Sequence, residues 1–514
     1  NAIAQSFHHS ILPLLPIRDR VTEVRWGIAD FVHRFGRRPE GMWLPETAVD
    51  TPTLEVLAAE GIRFTILSPY QAAAVRRMDR EGWTSVEGGQ IDPTRPYWVE
   101  LPGGRRIAVF FYDGPIAKGL AFENGLDSTE ALLARLEGGF DPSRRHRQLL
   151  SVAVDGETFG HHKKGGDEVL AGAIRLAESR NLRLTNYGAF LAECPPTHVV
   201  RLIEPSSWSC AHGVERWRSD CGCTTAELPG WHQQWREPLR RAFEALSERI
   251  DAYFEEEGSR LLADPWAARD AYVQVVLDRS PAKVHAFLAA HERSPGLLAN
   301  SEAKVQSLRL LEAQRNRLMM FTSCGWFFAE ISSLEATQVL RYAARAMQLV
   351  EEAGGPVLEP AFVASLADAP SNIPEVGDGR GVWERFIRPS IVPLPGILAH
   401  QAIVSVSASD DLETEGRLFC YRYRRLAHRR EVVGPATLAM GRTLLTSENT
   451  FATLDGVYAV LHFGGNDFRC SVRPYIDAQS YQAIERDLFE PLERFDLSSV
   501  VRAMDRHFVG PDFG

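Results

Sequence analysis

Two apolar runs, far apart in the sequence, each end abruptly in a carboxylate beside Gly or Pro. Residues 39–44 lead through Pro45 to Glu46, and residues 148–154 lead to Asp155 and Gly156. This pattern is typical of buried strands that deliver an acid to the rim of an α/β sheet or barrel. Since two such rims can face one pocket, the pattern constrains both the fold and the chemistry.

A pair of carboxylates suits the cleavage or transfer of glycosyl groups. One acid protonates the leaving oxygen and the other meets the oxocarbenium-like centre, with the two carboxyl groups about 5–5.5 Å apart if configuration is retained. The environment of each acid decides which one holds the proton. Taken singly, either acid also suits a helix cap or a loop contact, so the residues alone leave both interpretations open.

The sequences around these two acids also resemble known motifs. Residues 43–46 (W-L-P-E) and 155–161 (D-G-E-T-F-G-H) resemble the nucleophile and acid/base motifs of glycoside hydrolase family 57. That family contains α-amylases, 4-α-glucanotransferases, branching enzymes and amylopullulanases. Residues 9–14 are similar to another conserved region of the family, and residues 206–328 resemble a subgroup with an uncharacterised C-terminal domain.

This resemblance implies a retaining enzyme that acts on α-glucan, with Glu46 as nucleophile and Asp155 as general acid/base. We expect burial beside Phe159 and the charge of Glu157 to raise the pKa of Asp155. The mechanism requires no metal or organic cofactor. Candidates for substrate contact come from the resemblance, from the aromatic residues and from Asp113, a further acid at a predicted strand end. They are His9, Trp43, Asp113, Glu157, Phe159, His161, Trp208, His212 and Trp326. For Asp113, a turn-forming Asp-Gly is the alternative.

The chain departs from the family pattern in two places. His162, Lys163 and Lys164 follow Gly160-His161, where branching enzymes have aromatic residues. The family's opening strand with a His-x-His motif is also absent, so we expect the chain to lack the N-terminal portion of the family's catalytic domain.

Composition narrows the classes of partner. The formal net charge of −10 disfavours a nucleic-acid binder, which draws on a clustered basic surface. No apolar run approaches the length of a membrane span, so we expect no membrane partner. Seven cysteines scattered over 514 residues favour a reducing cytoplasm over a disulfide framework. The sequence leaves the oligomeric state open.

The periodicity predicts three kinds of structure in succession. Repeated β-α units, including a helix over 17–35 and strands over 62–67 and 107–112, indicate a parallel barrel or an open sheet, and the resemblance implies a seven-stranded barrel. We predict a (β/α)7-type barrel, incomplete at the N-terminus, then a helical bundle and a C-terminal β-rich domain. Asp50 should open the helix that follows Glu46, and the β-rich domain should contain a strand over 402–407 and a hairpin at 464–467. The predicted bounds are 1–205 for the catalytic barrel, 206–366 for the helical region, 367–396 for a linker and 397–514 for the β-rich domain with terminal helices.

Residues 206–223 form a second segment with chemical potential. Cys210, His212, Cys221 and Cys223 are suitable zinc ligands. Their C-x-H and C-x-C spacing differs from the usual C-x2-C knuckle. The sequence therefore favours a packed or substrate-facing loop, in which Trp208, Trp217, Trp231 and Trp235 offer flat apolar surface to sugars, and leaves a metal site as the alternative.

The sequence is also compatible with two other classes of function. One is a metal-dependent enzyme on a related barrel, such as a polysaccharide deacetylase or mannosidase. The other is a catalytically silent carbohydrate-binding protein. We also leave open whether the β-rich domain binds carbohydrate or is purely structural.

Overall fold

The N-terminal part of the protein is an α/β unit. The computed structural model describes residues 2–225, 228–407, 413–465 and 467–509. Eight strands belong to the N-terminal part: β1 (Ala4–Gln5), β2 (Met42–Trp43), β3 (Phe64–Leu67), β4 (Ala72–Arg77), β5 (Thr84–Ser85), β6 (Tyr97–Glu100), β7 (Arg106–Phe111) and β8 (His198–Leu202). Its helices are α1 (Ile17–Phe35), α2 (Thr51–Ala59), α3 (Gly114–Phe122), α4 (Thr129–Gly138), α5 (Gly166–Leu176) and α6 (Tyr187–Glu193).

Parallel pairing links the strands that carry the first acidic motif. β1 pairs with β2, and β3 pairs with β7, both in parallel. Gly41 forms a parallel bridge to Phe64 and so joins β2 to β3. A Cβ atom on Gly41 would lie 2.2 Å from the Phe64 ring, so only glycine permits this close approach. The sheet continues in the order β3-β7-β6-β8-β4-β5, with β6 antiparallel to β7.

Helix α1 confirms the prediction for residues 17–35. Val24, Ile28 and Phe31 recur at helical spacing and are buried. Gly36 ends the helix in the left-handed conformation, with a φ of 66°. Asp50 caps α2 as predicted, because its side chain accepts a hydrogen bond from the backbone N–H of Thr53.

The prediction of a buried strand over residues 148–154 is wrong. This segment lies outside any strand and is half-buried. β3 occupies one edge of β7, and β6 occupies the other over residues 106–109, so only the end of that second edge is left for a further strand. The segment is instead held by single hydrogen bonds, from Leu149 N–H to the Thr94 carbonyl and from Asp113 N–H to the Ser151 carbonyl. It still leads to Asp155.

The helical region follows, as predicted. Its helices are α7 (Arg236–Leu261), α8 (Pro265–Ala271), α9 (Val273–Leu277), α10 (Pro281–His291), α11 (Ser301–Met319), α12 (Cys324–Phe327), α13 (Leu334–Glu352) and α14 (Glu359–Leu366). One hydrophobic core runs from the α/β part into this region. The segment 367–396, predicted as a linker, contains α15 (Gly379–Val382) and buries Trp383 completely in that core.

An antiparallel sheet with helices on both faces ends the chain. Its elements are α16 (Leu394–Ser407), β9 (Glu415–Leu418), β10 (Tyr421–Val433), β11 (Ala436–Ser447), β12 (Thr453–His462), β13 (Phe468–Pro474), α17 (Ala478–Glu493) and α18 (Leu497–His507). Side chains alternate along β11: Leu438 packs toward α17 and α18, whereas Ala439 packs toward α16. The predicted hairpin at 464–467 joins β12 to β13, although Asn466 itself lies outside the described residues.

The prediction of a strand over 402–407 is wrong, because these residues lie in α16. Leu398, Ala402 and Val406 recur every four residues and form the buried stripe of this helix. Within the described residues, no single helix is long and apolar enough to cross a membrane. Two successive helical segments, 379–390 and 394–406, are together long and apolar enough, but the chain bends by 54° between them.

Candidate active site

Glu46 lies directly after β2 in an unusual backbone conformation. Glu46 and Thr47 have φ values of 57° and 50°, in the left-handed region that residues with a side chain rarely adopt. Such strain concentrates at functional sites, where the surrounding structure maintains it. Pro45 precedes the turn and fixes its entry.

Two donors hold the Glu46 carboxylate. The Trp208 indole N–H donates to Oε2 over 2.8 Å, and the Ser209 hydroxyl donates to the same oxygen over 2.5 Å. The backbone N–H of Trp208 also donates to the Glu46 carbonyl. Two hydrogen bonds to one oxygen fix the direction of the carboxylate.

The loop that supplies these donors is attached to the Glu46 turn. Val49 and Ser206 exchange two backbone hydrogen bonds of 2.9 and 3.2 Å. The buried Gln71 amide donates to the Thr47 carbonyl and to the Ser206 hydroxyl. These contacts place Trp208 beside Glu46 even though the two residues are far apart in the sequence.

His9 interacts electrostatically with both acidic motifs. Burial lowers the pKa of His9 overall, while the negative charges of Glu46 and Asp155 each act to raise it. The ring Nδ1 lies 2.8 Å from the Ser323 hydroxyl, and Ser323 N–H donates to the His9 carbonyl. The structure therefore places His9 within electrostatic range of both predicted catalytic acids.

Asp155 is exposed and precedes a short helical turn over 156–158. Desolvation, followed by the charge of Glu157, raises the pKa of the Asp155 carboxyl group. The nearby His162 and His9 oppose this shift. An elevated pKa is what a carboxylic acid needs in order to donate a proton near neutral pH.

Aromatic rings surround Glu46. The rings of Trp43 and Trp208 meet edge to face at 66° with centroids 5.2 Å apart, and the Tyr112 ring centroid lies 6.1 Å from that of Trp208. Both tryptophans are half-buried, so part of each ring faces solvent. Flat, partly exposed indoles next to carboxylates match the surface that sugars use for stacking.

Four other residues predicted to contact substrate differ in burial and in hydrogen bonding. Asp113 caps α3, accepting a hydrogen bond from Ile116 N–H, so its turn-forming interpretation accounts for its carboxylate. Phe159 packs partly against the cluster of Leu120 and Leu126. Glu157 and His161 are exposed on the turn that follows Asp155, and the His161 ring contacts that of His162.

Trp326 does not line the site, contrary to the prediction. Its side chain is 1% exposed and packs against Phe243 and Phe321. Trp217 and Trp235 are also buried and offer no surface to sugars. In each case a tryptophan in an irregular segment fills the core between helices, which the sequence pattern could not distinguish from a cleft position.

Sequence reasoning missed three residues of the site. Ser209 follows the predicted Trp208, and Ser323 and Cys324 lie in the helix-breaking segment in which Trp326 was singled out instead. Desolvation and the charge of Glu46 raise the pKa of the Cys324 thiol, which places Cys324 close to that carboxylate. The break in helical rhythm at 321–328 was the available signal.

His212 lies in the cysteine group that the sequence left as the metal alternative. Its Nδ1 lies 3.6 Å from the sulfur of Cys223, and the sulfurs of Cys210 and Cys221 are 4.0 Å apart. One ligand atom from each of these four residues lies within 4.8 Å of all the others. The His212 ring therefore faces the cysteines, and its predicted role in substrate contact is not supported.

Comparisons with known proteins agree with this fold. Residues 2–202 match the model of glycosyl hydrolase family 57, and residues 231–514 match a domain of unknown function, DUF3536. The chain therefore carries the DUF3536 domain in its C-terminal part, and its N-terminal part is similar to glycosyl hydrolase family 57.

Individual relatives are distant. Alpha-amylase 1 of Dictyoglomus thermophilum is 23% identical over 158 residues, which are 31% of this chain and 20% of that protein. The chain thus spans about one fifth of the length of this curated relative. An exo-type maltose-forming amylase from Pyrococcus sp. ST04 has a TM-score of 0.56 at 16% identity, covering 75% of each chain, which confirms the predicted barrel-type fold. The α-amylase AmyC from Thermotoga maritima gives a TM-score of 0.44 at 13% identity, covering 74% of this chain and 72% of its own.

Proposed function

We propose that this protein is a retaining glycoside hydrolase or transglycosylase that acts on α-glucan. Glu46 is the nucleophile and Asp155 the general acid/base. The observation that carries this proposal is the setting of Glu46: its carboxylate stands on a turn with positive φ and is held by Trp208 and Ser209 beside the ring of Trp43. His9 interacts electrostatically with both acids, although they belong to separate motifs. The family match and the amylases named above support α-glucan as the substrate class.

In the first step, Glu46 attacks the anomeric carbon and displaces the leaving oxygen, which takes a proton from Asp155. The bonds from Trp208 and Ser209 both end on Oε2. Among the described residues, none donates a hydrogen bond to Oε1. This second oxygen is therefore the one that we assign to the attack.

In the second step, Asp155 acts as a base. It removes the proton from water, which gives hydrolysis, or from a sugar hydroxyl, which gives transfer, and the glycosyl–Glu46 bond breaks. The raised pKa of Asp155 suits this alternation, because the carboxyl group must hold a proton in the first step and accept one in the second. Trp43 and Trp208 supply stacking surface for the sugar ring beside Glu46.

Azide rescue tests the two roles separately. We expect Glu46→Ala, given azide and a 4-nitrophenyl α-maltooligoside, to form a β-glycosyl azide, since azide enters from the face that Glu46 has vacated. Asp155→Ala is expected to form the α-glycosyl azide instead, because azide then attacks the glycosyl–Glu46 intermediate. Nuclear magnetic resonance of the products distinguishes the two anomers.

Glu40→Gln is the matched control. Glu40 is another carboxylate of the same segment, and it pairs with Arg63 on the surface. This variant should keep wild-type turnover and form no glycosyl azide. The proposal fails if Glu46→Ala retains wild-type turnover, or if both catalytic variants give the same anomer. A wild-type chain that binds glucan but does not turn it over would indicate a binding protein instead of an enzyme.

A further inference from the structure

We propose that Cys210, His212, Cys221 and Cys223 bind one structural zinc ion. The four residues belong to the loop that leaves the α/β part and enters α7. This site goes beyond the proposed function, because nothing in glycosyl transfer by Glu46 and Asp155 uses it.

The distances between the four side chains match a tetrahedral zinc site. With zinc–sulfur bonds of about 2.3 Å, two sulfurs of a tetrahedron lie about 3.8 Å apart. A sulfur and a histidine nitrogen lie about 3.6 Å apart in the same geometry. The Cys210–Cys221 sulfur separation is 4.0 Å, and the Cys223 sulfur lies 3.6 Å from His212 Nδ1. The ligands are thus already near their bonded spacing.

The backbone explains how the unusual spacing reaches this geometry. Each ligand pair stands beside a glycine with positive φ: Gly213 at 84° after His212, and Gly222 at 78° between Cys221 and Cys223. A Cβ atom on Gly213 would lie 2.5 Å from the Pro205 carbonyl oxygen, so the first turn requires glycine. In an extended strand, side chains two residues apart share one face but stand about 6.6 Å apart along it. The turns at these glycines, the first closed by a hydrogen bond from Gly213 N–H to the Cys210 carbonyl, bring the ligand atoms of each pair within 4.8 Å.

Charge provides a second, independent argument. Arg236 is 0% exposed and Arg216 is also buried. Within the described part of the chain, neither forms an ion pair with a carboxylate. Arg236 donates to the Cys223 carbonyl over 2.9 Å and reaches the Cys221 sulfur over 3.9 Å. Buried cations need nearby negative charge, and three thiolates on Zn²⁺ carry a net charge of −1. Such donors to ligand sulfurs are the usual outer layer of a zinc site.

The site is closed and therefore structural. Three thiolates and one imidazole fill four positions and leave none for water or substrate. Cys210 directly follows Trp208 and Ser209, the two residues that hold Glu46. Zinc would therefore fix the loop that orients the nucleophile, without contacting the reacting atoms.

Metal content and X-ray absorption test this proposal on the full chain, independently of any activity. Protein expressed in zinc-supplemented medium and purified without chelator should contain about one zinc ion per chain. The zinc-edge spectrum should fit three sulfurs at about 2.3 Å and one nitrogen at about 2.0–2.1 Å. Alkylation of Cys210, Cys221 and Cys223 should be slow until a chelator is added.

Single variants locate the ion. Cys221→Ser and Cys223→Ser should each lower zinc content about tenfold or more, whereas Cys194→Ser and Cys420→Ser should retain it. If the first two variants fail to fold, the wild-type absorption spectrum decides. Any of these results overturns the proposal: no zinc bound even after zinc is added, iron in its place, a Cys210–Cys221 disulfide, or a zinc ion coordinated only by oxygen and nitrogen.

Discussion

The indole N–H of Trp208 donates a 2.8 Å hydrogen bond to Oε2 of Glu46, across 162 positions of sequence. The backbone of Trp208 bonds the Glu46 carbonyl as well, so side chain and main chain act together. The strained Glu46 turn and the 206–209 loop therefore form one unit, and the properties of the carboxylate depend on both.

Trp208→Phe should impair catalysis while leaving the fold intact. The phenyl ring preserves contact with Trp43 but removes the donor to Glu46. A hydrogen bond to a charged group contributes about 1.5–3 kcal/mol, so we expect kcat/KM to fall about 10- to 100-fold. Steady-state kinetics on maltooligosaccharides measure this. Trp83→Phe is the control, since Trp83 stacks with Arg201 instead, and equal activity losses in both variants would contradict the proposed role.

Glu157→Gln should shift the pH dependence. A general acid works in its protonated form, so kcat/KM falls as the pH rises through the pKa of Asp155. After desolvation, the charge of Glu157 is the next largest contribution that raises that pKa. Removing this charge lowers the pKa of Asp155, and the high-pH limb of the profile should move to lower pH. Glu178→Gln should leave it in place, and an upward shift in Glu157→Gln would refute the assignment.

Asp19→Asn should destabilise the protein. Asp19 of α1 pairs with Arg269 of α8 and Arg317 of α11, and all three side chains are buried. Breaking such a pair costs about 3–5 kcal/mol, because it leaves buried charge uncompensated. Chemical denaturation measures the loss, and Asp30→Asn, in an exposed pair on the same helix, should change little.

The same pair predicts a pH dependence of stability. Burial acts to raise the pKa of Asp19, but the two guanidinium groups lower it overall. The stabilisation is therefore present above the ordinary carboxyl pKa and is lost as the pH falls through the lowered value. The wild type and Asp19→Asn should converge in unfolding free energy in strong acid. A constant difference at all pH values would contradict this account.

Long periodic segments were predictable from the sequence, and short apolar runs were not. Helix α1 begins and ends at the predicted residues because its buried stripe and its terminal glycine agree. Residues 402–407 were predicted as a strand because the window was too short to show the repeat that begins at Leu398. Residues 148–154 have the composition of a strand, but whether they pair depends on which strands occupy the edges of β7, which is a property of the whole sheet.

The site was partly predictable for a similar reason. The two motifs identify Glu46 and Asp155, and the structure brings His9, Trp43 and Trp208 to the same region. Local sequence could not show that Trp326 fills the core or that Ser209 and Ser323 hold the site, because both depend on where distant loops return. The sequence did not favour a metal site at the cysteine cluster, because the C-x-H and C-x-C spacing becomes suitable for a metal only through the turns at Gly213 and Gly222.

Trapping of the glycosyl–enzyme intermediate tests the central claim most directly. Asp155→Ala mixed with an activated α-glucosyl fluoride should accumulate a covalent adduct, because release lacks its general base. Peptide fragmentation by mass spectrometry should place one glycosyl group on Glu46. A glycosyl group on any other carboxylate, or wild-type turnover with no trapped adduct on Glu46, would contradict the account.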